Sequence, residues 1–119
     1  MKGRLAPEFQ AVDQVISPVV EAIRQKDNLM ANYLMKYFNK LCKQIVSQDK
    51  FLTHDAKLAY VVGCSWLKDV YVETDVLLGH LFEALRPDYR VTSIERFRRR
   101  HSGKDLHESI VYVHKLENR

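Results

Sequence analysis

Cysteine is scarce in this chain, and the little there is excludes two common scaffolds. Cys42 and Cys64 are the whole complement, with no CxxC spacing and no cluster of histidines nearby. A disulfide framework and a zinc site are therefore not expected, and both thiols should be buried and reduced. Long apolar runs are missing as well: no window approaches the roughly eighteen uninterrupted apolar residues that a membrane helix needs. At the start, Met1-Lys2-Gly3-Arg4 leads into Leu5-Ala6-Pro7-Glu8 instead of an apolar stretch, so no signal peptide is expected. These absences point to a protein without membrane contact, cytoplasmic, or nuclear in a eukaryote. Catalytic signatures are absent too. There is no GxSxG, P-loop, dinucleotide glycine pattern or HExxH, and His54, His80, His101, His107 and His114 are scattered. The expectation is a non-enzymatic protein without cofactor or metal.

What is present fits one domain. The chain has 119 residues, of which 46% are hydrophobic, enough for a core that needs no metal or disulfide support. The net charge of +4 is modest, but its distribution is uneven. Residues 1–50 carry eight Lys/Arg against five Asp/Glu, residues 51–91 four against six, and residues 92–119 seven against four. Positive charge sits at the two ends and the middle is acidic.

The first third reads as helical. Leu5, Phe9, Val12, Ile16, Val19 and Ile23 recur at 4-3-4-3-4 spacing, one stripe of an amphipathic helix. Pro18 either kinks this helix or opens a second one behind a Ser17 cap, so a bend near Ser17 is expected. Asp27 or Asn28 can cap the next helix, where Met30, Tyr33, Leu34, Tyr37, Phe38, Leu41 and Ile45 form a wide apolar face and Lys36, Lys40 and Lys43 lie mostly outside it. Residues 5–46 thus offer more apolar surface than a small bundle must bury. Either it packs within the core, or Phe9, Val12, Ile16, Tyr33 and Tyr37 form a homodimer or protein-partner interface.

A third helix is expected from a cap at Thr53, His54 or Asp55 to about Leu67, with Trp66 in the core. Within it, Leu58 to Ser65 resembles in part the first helix and turn of a helix-turn-helix, with Ala59 four residues before Gly63. Asp69 stands where that motif wants an apolar residue. Thr74 to Leu85 is helical again, with Val76, Leu77, Leu81 and Leu85 on one side and Pro87 to end it.

The sharpest functional feature follows. Arg96, Arg98, Arg99 and Arg100 run into His101-Ser102-Gly103-Lys104 and then into the β-branched Ile110-Val111-Tyr112-Val113. Two local structures fit. Residues 89–100 can pair antiparallel with 107–116, which sets Phe97 opposite Ile110, Val91 opposite Leu116 and Arg99 opposite Glu108. Alternatively, Thr92-Ser93-Ile94-Glu95 is a capping box and the arginines line a short helix ended by Gly103. The β-branched residues before the arginines and the strong strand after them favour the hairpin. In both, Arg96, Arg98, Arg99, Arg100, His101 and Lys104 share one surface region, where guanidinium groups can donate paired hydrogen bonds to phosphates. The bland alternative is a solvated charged hairpin partly neutralised by Glu95, Asp105 and Glu108.

The fold expected is therefore α+β and mostly helical: about four helices and a C-terminal two-stranded hairpin, with residues 53–119 winged-helix-like. The function expected is a small, dimeric DNA-binding regulator using the basic hairpin on duplex DNA, and the alternative is an interaction adaptor or complex subunit using the apolar N-terminal helices. One feature weighs against the first. The helix before the hairpin offers Glu73, Asp75 and Glu83 and no Lys or Arg until Arg86, and DNA repels an acidic helix.

Overall fold

The computed structural model describes residues 12–53, 55–99 and 107–116, with residues 98 and 99 described by their backbone alone. The elements are α1 (Asp13–Arg24), α2 (Asn28–Asp49), β1 (Lys57–Gly63), β2 (Ser65–Leu67), β3 (Val70–Val72), α3 (Thr74–Leu85), β4 (Tyr89–Arg99) and β5 (His107–Lys115). The fold is α+β, with three helices among the described residues where about four were expected. β1, β5 and β4 form an antiparallel sheet in that order, and β2 pairs with β3 in a small separate hairpin.

α1 buries Ile16, Val20 and Ile23 against α2. Pro18 lies inside it, so one helix runs through the proline and no second helix starts there. The cost is one intrahelical bond, because Pro18 has no N–H for the Gln14 carbonyl. Asp27 caps α2 by accepting from the Met30 N–H at 3.0 Å, which supplies one of the helix's orphan donors with a partner. Arg24 bridges the two helices by donating to Asn28 Oδ1 and Asn32 Oδ1 at 2.6 and 3.0 Å.

The third helix expected over 53–67 is instead two strands. Leu58, Tyr60 and Val62 point inward and alternate with exposed Lys57, Ala59 and Val61, a period of two that outweighs the helical spacing. With this, the helix-turn-helix resemblance of Leu58 to Ser65 fails, because the segment is β1 and the start of β2. Trp66 is not in the core either. It stands half-exposed across from Tyr71, with ring centroids 5.1 Å apart. Lys68 and Asp69 make the tight turn with φ of 49° and 65°, the left-handed values that a two-residue hairpin turn requires. Lys68 in turn reaches Asp27 at 3.3 Å.

α3 has the bounds the sequence predicts, and ends where Arg86 turns extended ahead of Pro87. Its Phe82 stacks on Tyr89 of β4 and meets Tyr60 of β1 edge-on, with centroids 5.4 and 5.2 Å apart. Asp49, at the end of α2, holds the base of the hairpin: Tyr89 Oη donates to it, and Lys115 and Arg86 pair with it at 3.2 and 3.1 Å.

Residues 89–99 are strand, which overturns the capping-box helix at Thr92. The register differs from the simple one. Val91 faces Val113, Glu95 faces Ile110 and Arg98 faces Glu108, with irregularities between Val91 and Ser93 and between Arg96 and Arg98. Each is a bulge in which one extra residue, Thr92 or Phe97, goes unpaired and advances the register by one. An unbroken ladder cannot satisfy both ends of this hairpin.

Candidate nucleic-acid interface

The arginine-rich strand is anchored before it reaches the described end of β4. Arg96 faces Ser109 in the ladder, and both reach Asp75 in the first turn of α3. Arg96 Nε donates to Asp75 Oδ2 at 3.1 Å and Ser109 Oγ donates to the same oxygen at 2.8 Å. The Val76 N–H donates to Asp75 Oδ1 at 2.8 Å, and Arg96 also pairs with Glu73 at 3.0 Å. Asp75 has no solvent exposure. Burial pushes its carboxyl up, but the hydrogen bonds from Arg96, Ser109 and Cys64 outweigh this and hold it below the ordinary carboxylate value.

Nor do the acidic residues of α3 form a free negative face. Glu73 and Asp75 are bound to Arg96, and Glu83 accepts from the Val91 N–H of β4 at 2.9 Å. All three join α3 to the hairpin. The sequence raised them as an electrostatic obstacle to DNA; Arg96 brings one positive charge against the two of Glu73 and Asp75, and the neutral Val91 N–H brings none against Glu83, so the obstacle is offset only in part.

The named basic residues divide accordingly. Arg96 is an anchor in the first instance, 41% exposed and already paired with two carboxylates. Arg98 and Arg99 lie in β4 opposite Glu108 and His107. Arg100, His101 and Lys104 fall outside the described residues, as does Phe9.

The apolar interface residues divide too. Val12 and Ile16 are fully buried in the chain's own core, so they contribute to packing and present no surface to a partner. The buried face of α2 is Ala31, Leu34, Met35, Phe38, Leu41, Cys42 and Ile45. Tyr33 is 69% exposed and Tyr37 half-exposed, and they share the outward face with exposed Lys36, Lys40 and Lys43. No Asp or Glu occurs between Asn28 and Gln48. α2 therefore shows solvent a face that is basic and aromatic together.

Sequence reading missed the anchor, although β5 carries its signal. The strand's buried positions are Ser109, Val111, Val113 and Lys115, so each end of a buried apolar pair holds a polar group that requires a partner. Asp75 answers Ser109 and Asp49 answers Lys115.

Among the described residues no group of three His, Cys, Asp or Glu side chains is arranged to hold a metal ion, and no helix is long and apolar enough to cross a membrane. Comparison with known proteins gives no match to a family model, a curated protein or a solved structure.

Proposed function

We propose that the protein is a small DNA-binding regulator whose β4–β5 hairpin contacts the phosphate backbone of duplex DNA in a winged-helix-like layout. The observation that carries this reading is the anchoring of β4 to α3 through Arg96 and Asp75. It fixes the base of an arginine-rich strand against a rigid element while Arg98, Arg99, Arg100 and Lys104 lie beyond the anchor along the chain. The sheet order β1-β5-β4, with α3 directly before the hairpin, supports it by analogy with winged helices. Such a tip supplies affinity and salt dependence more than sequence choice.

Fluorescence anisotropy with a random duplex and a matched single strand, at low and near-physiological salt, tests the reading. The triple substitution Arg98→Ala, Arg99→Ala, Arg100→Ala should abolish duplex binding at near-physiological salt and lower the log–log salt slope by about 0.9 for each phosphate that is no longer neutralised. Arg96→Ala should affect stability more than the slope. Absence of duplex binding even at low salt, or a triple variant that binds like the native chain, refutes the reading.

A second reading rests on the outward face of α2, where Leu29 is 79% exposed beside Tyr33, Tyr37 and the three lysines. An adaptor that docks an acidic protein surface there would lose its partner on Tyr33→Ala with Lys36→Glu and keep any affinity for duplex DNA.

A further inference from the structure

The three-stranded sheet has two edges, and the fold treats them differently. At the β4 edge, two bulges interrupt the strand and Glu83 occupies the Val91 N–H, devices that keep another strand from pairing there. At the β1 edge the described residues offer one such device, the exposed Lys57 at the first position of the strand. β1 is unbroken over seven residues and contains no proline, and its register with β5 is regular from Lys57 to Gly63.

The direction of its free backbone groups follows from the ladder. Lys115 N donates to Ala56 O and Cys64 N donates to His107 O, so the even-numbered residues of β1 spend their N–H and C=O on β5. The odd-numbered residues, Lys57, Ala59, Val61 and Gly63, turn theirs to the open edge. The side chains of Lys57, Ala59 and Val61 are exposed as well, Val61 to 63%.

We propose that β1 is a dimerisation edge: β1 of one copy pairs antiparallel with β1 of a second copy about a two-fold axis at Tyr60, giving one six-stranded sheet. Antiparallel pairing makes a strand edge complementary to itself, and two-fold symmetry closes the assembly at two chains. In this register Ala59 faces Val61 of the second copy, and the reverse, so a small side chain lies against the exposed valine. Lys57 faces Gly63 of the second copy. Gly63 is paired with Glu108 on β5 of its own sheet, and having no side chain it leaves the lysine a path across to that carboxylate, two strand spacings or about 10 Å away. That carboxylate already has Arg98 opposite it in its own sheet, so the lysine joins an existing group of charges and the backbone bonds carry the joint. α2 is a poorer self-partner, since its outward face carries three lysines and no acid.

The dimer does not depend on the DNA reading, but one consequence of it does. The Arg99–His107 pair is level with Cys64, four residues from the axis. At about 3.4 Å per residue and 4.8 Å per strand, the two arginine-rich ends point in opposite directions about 33 Å apart, close to the 34 Å turn that separates half-sites on DNA.

Sedimentation velocity of the full chain without DNA, over a concentration series, reads the dimer directly. The native chain should sediment at twice its 14.0 kDa. Val61→Pro removes an outward N–H and no bond to β5, and Val61→Lys places a charge on the edge with the backbone intact. Both should be monomeric with unchanged circular dichroism, and the Ala59 amide, slow to exchange in the dimer, should become fast. If Val61→Pro does not fold, Val61→Lys decides. A native chain that stays monomeric at every concentration overturns the proposal, and so does a dimer that persists in the folded variants. Either result leaves the anisotropy experiment on the hairpin standing by itself.

Discussion

Arg96 and Asp75, 21 residues apart in the chain, meet with Nε 3.1 Å from Oδ2 and so tie the second half of β4 to the first turn of α3. The two ends of this contact differ in their surroundings. Asp75 is fully buried, whereas Arg96 is 41% exposed and has Glu73 as a second partner. Losing one partner is therefore not equivalent to losing the other.

Arg96→Ala strands a buried carboxylate, and Asp75→Asn leaves a guanidinium that can turn to Glu73 and water. Urea unfolding should show Arg96→Ala as the costlier change, about 2–3 kcal/mol against about 1–2 kcal/mol, discounted for the water that already reaches Arg96. The double variant should be more stable than Arg96→Ala alone, because the second substitution removes the stranded charge. Additive losses in the cycle would show that the pair is not coupled.

Acid should weaken the fold through three carboxylates. The Asp27 carboxyl is lowered by the Met30 N–H and then by Lys68. For Asp49 and Asp75 burial acts upward, but Tyr89 and Lys115 at the first, and Arg96, Ser109 and Cys64 at the second, prevail and lower both. A folded-state pKa below the unfolded value contributes stability that is fully present above the ordinary carboxylate value near 3.9. It is lost as pH falls through the folded values. Urea midpoints should thus be flat from pH 7 to about 5 and drop below pH 4, and Asp75→Asn should drop less steeply than the native chain. An equal slope in the variant would mean that Asp75 takes no part in the acid sensitivity.

The parts of the fold legible in sequence are those with local causes. Asp27 caps α2, Pro87 stops α3, and the β-branched residues around Arg96 make a hairpin, each through its own or its neighbours' chemistry. Residues 57–67 were not legible as strands because Leu58, Ala59, Val61 and Val62 fit helical and alternating templates alike, and pairing with β5, some fifty residues later, decides between them. The hairpin register failed for a related reason. Thr92 bulges out and donates to the Tyr112 carbonyl, a contact with no signature in spacing. Of the candidate site, the arginine run is plain in the sequence, but Arg96 as an anchor is not, because its carboxylate partners come from another element.

Both cysteines should be inert in the folded chain. Cys42 is fully buried, and burial pushes its thiol up to about 11. Cys64 is likewise fully buried and its thiol is raised, by burial first and by the nearby Asp75 carboxylate. Thiolate is the reactive form, so a water-soluble disulfide reagent at pH 8 should label neither group except through unfolding. Two equivalents should react at once in denaturant. Rapid labelling of one equivalent under native conditions would mean that one of these sites opens without global unfolding.

Gly79 lies at a close approach of α3 to β4. A Cβ at this position would lie 3.1 Å from Val91 Cγ2, tighter than ordinary contact but against a side chain and not the backbone. Alanine should gain about 1 kcal/mol in helix propensity, and the crowding opposes that gain. The two effects separate in a double-mutant cycle. Gly79→Ala alone should be close to neutral or destabilising, while the same change on a Val91→Ala background should stabilise by about 1 kcal/mol, because the methyl group then enters the space the valine leaves. Thermal unfolding of the four proteins gives the coupling. If Gly79→Ala is equally stabilising on both backgrounds, α3 and β4 are not in close contact at this point, and the packing that brings Glu83 to the Val91 N–H is looser than these distances require.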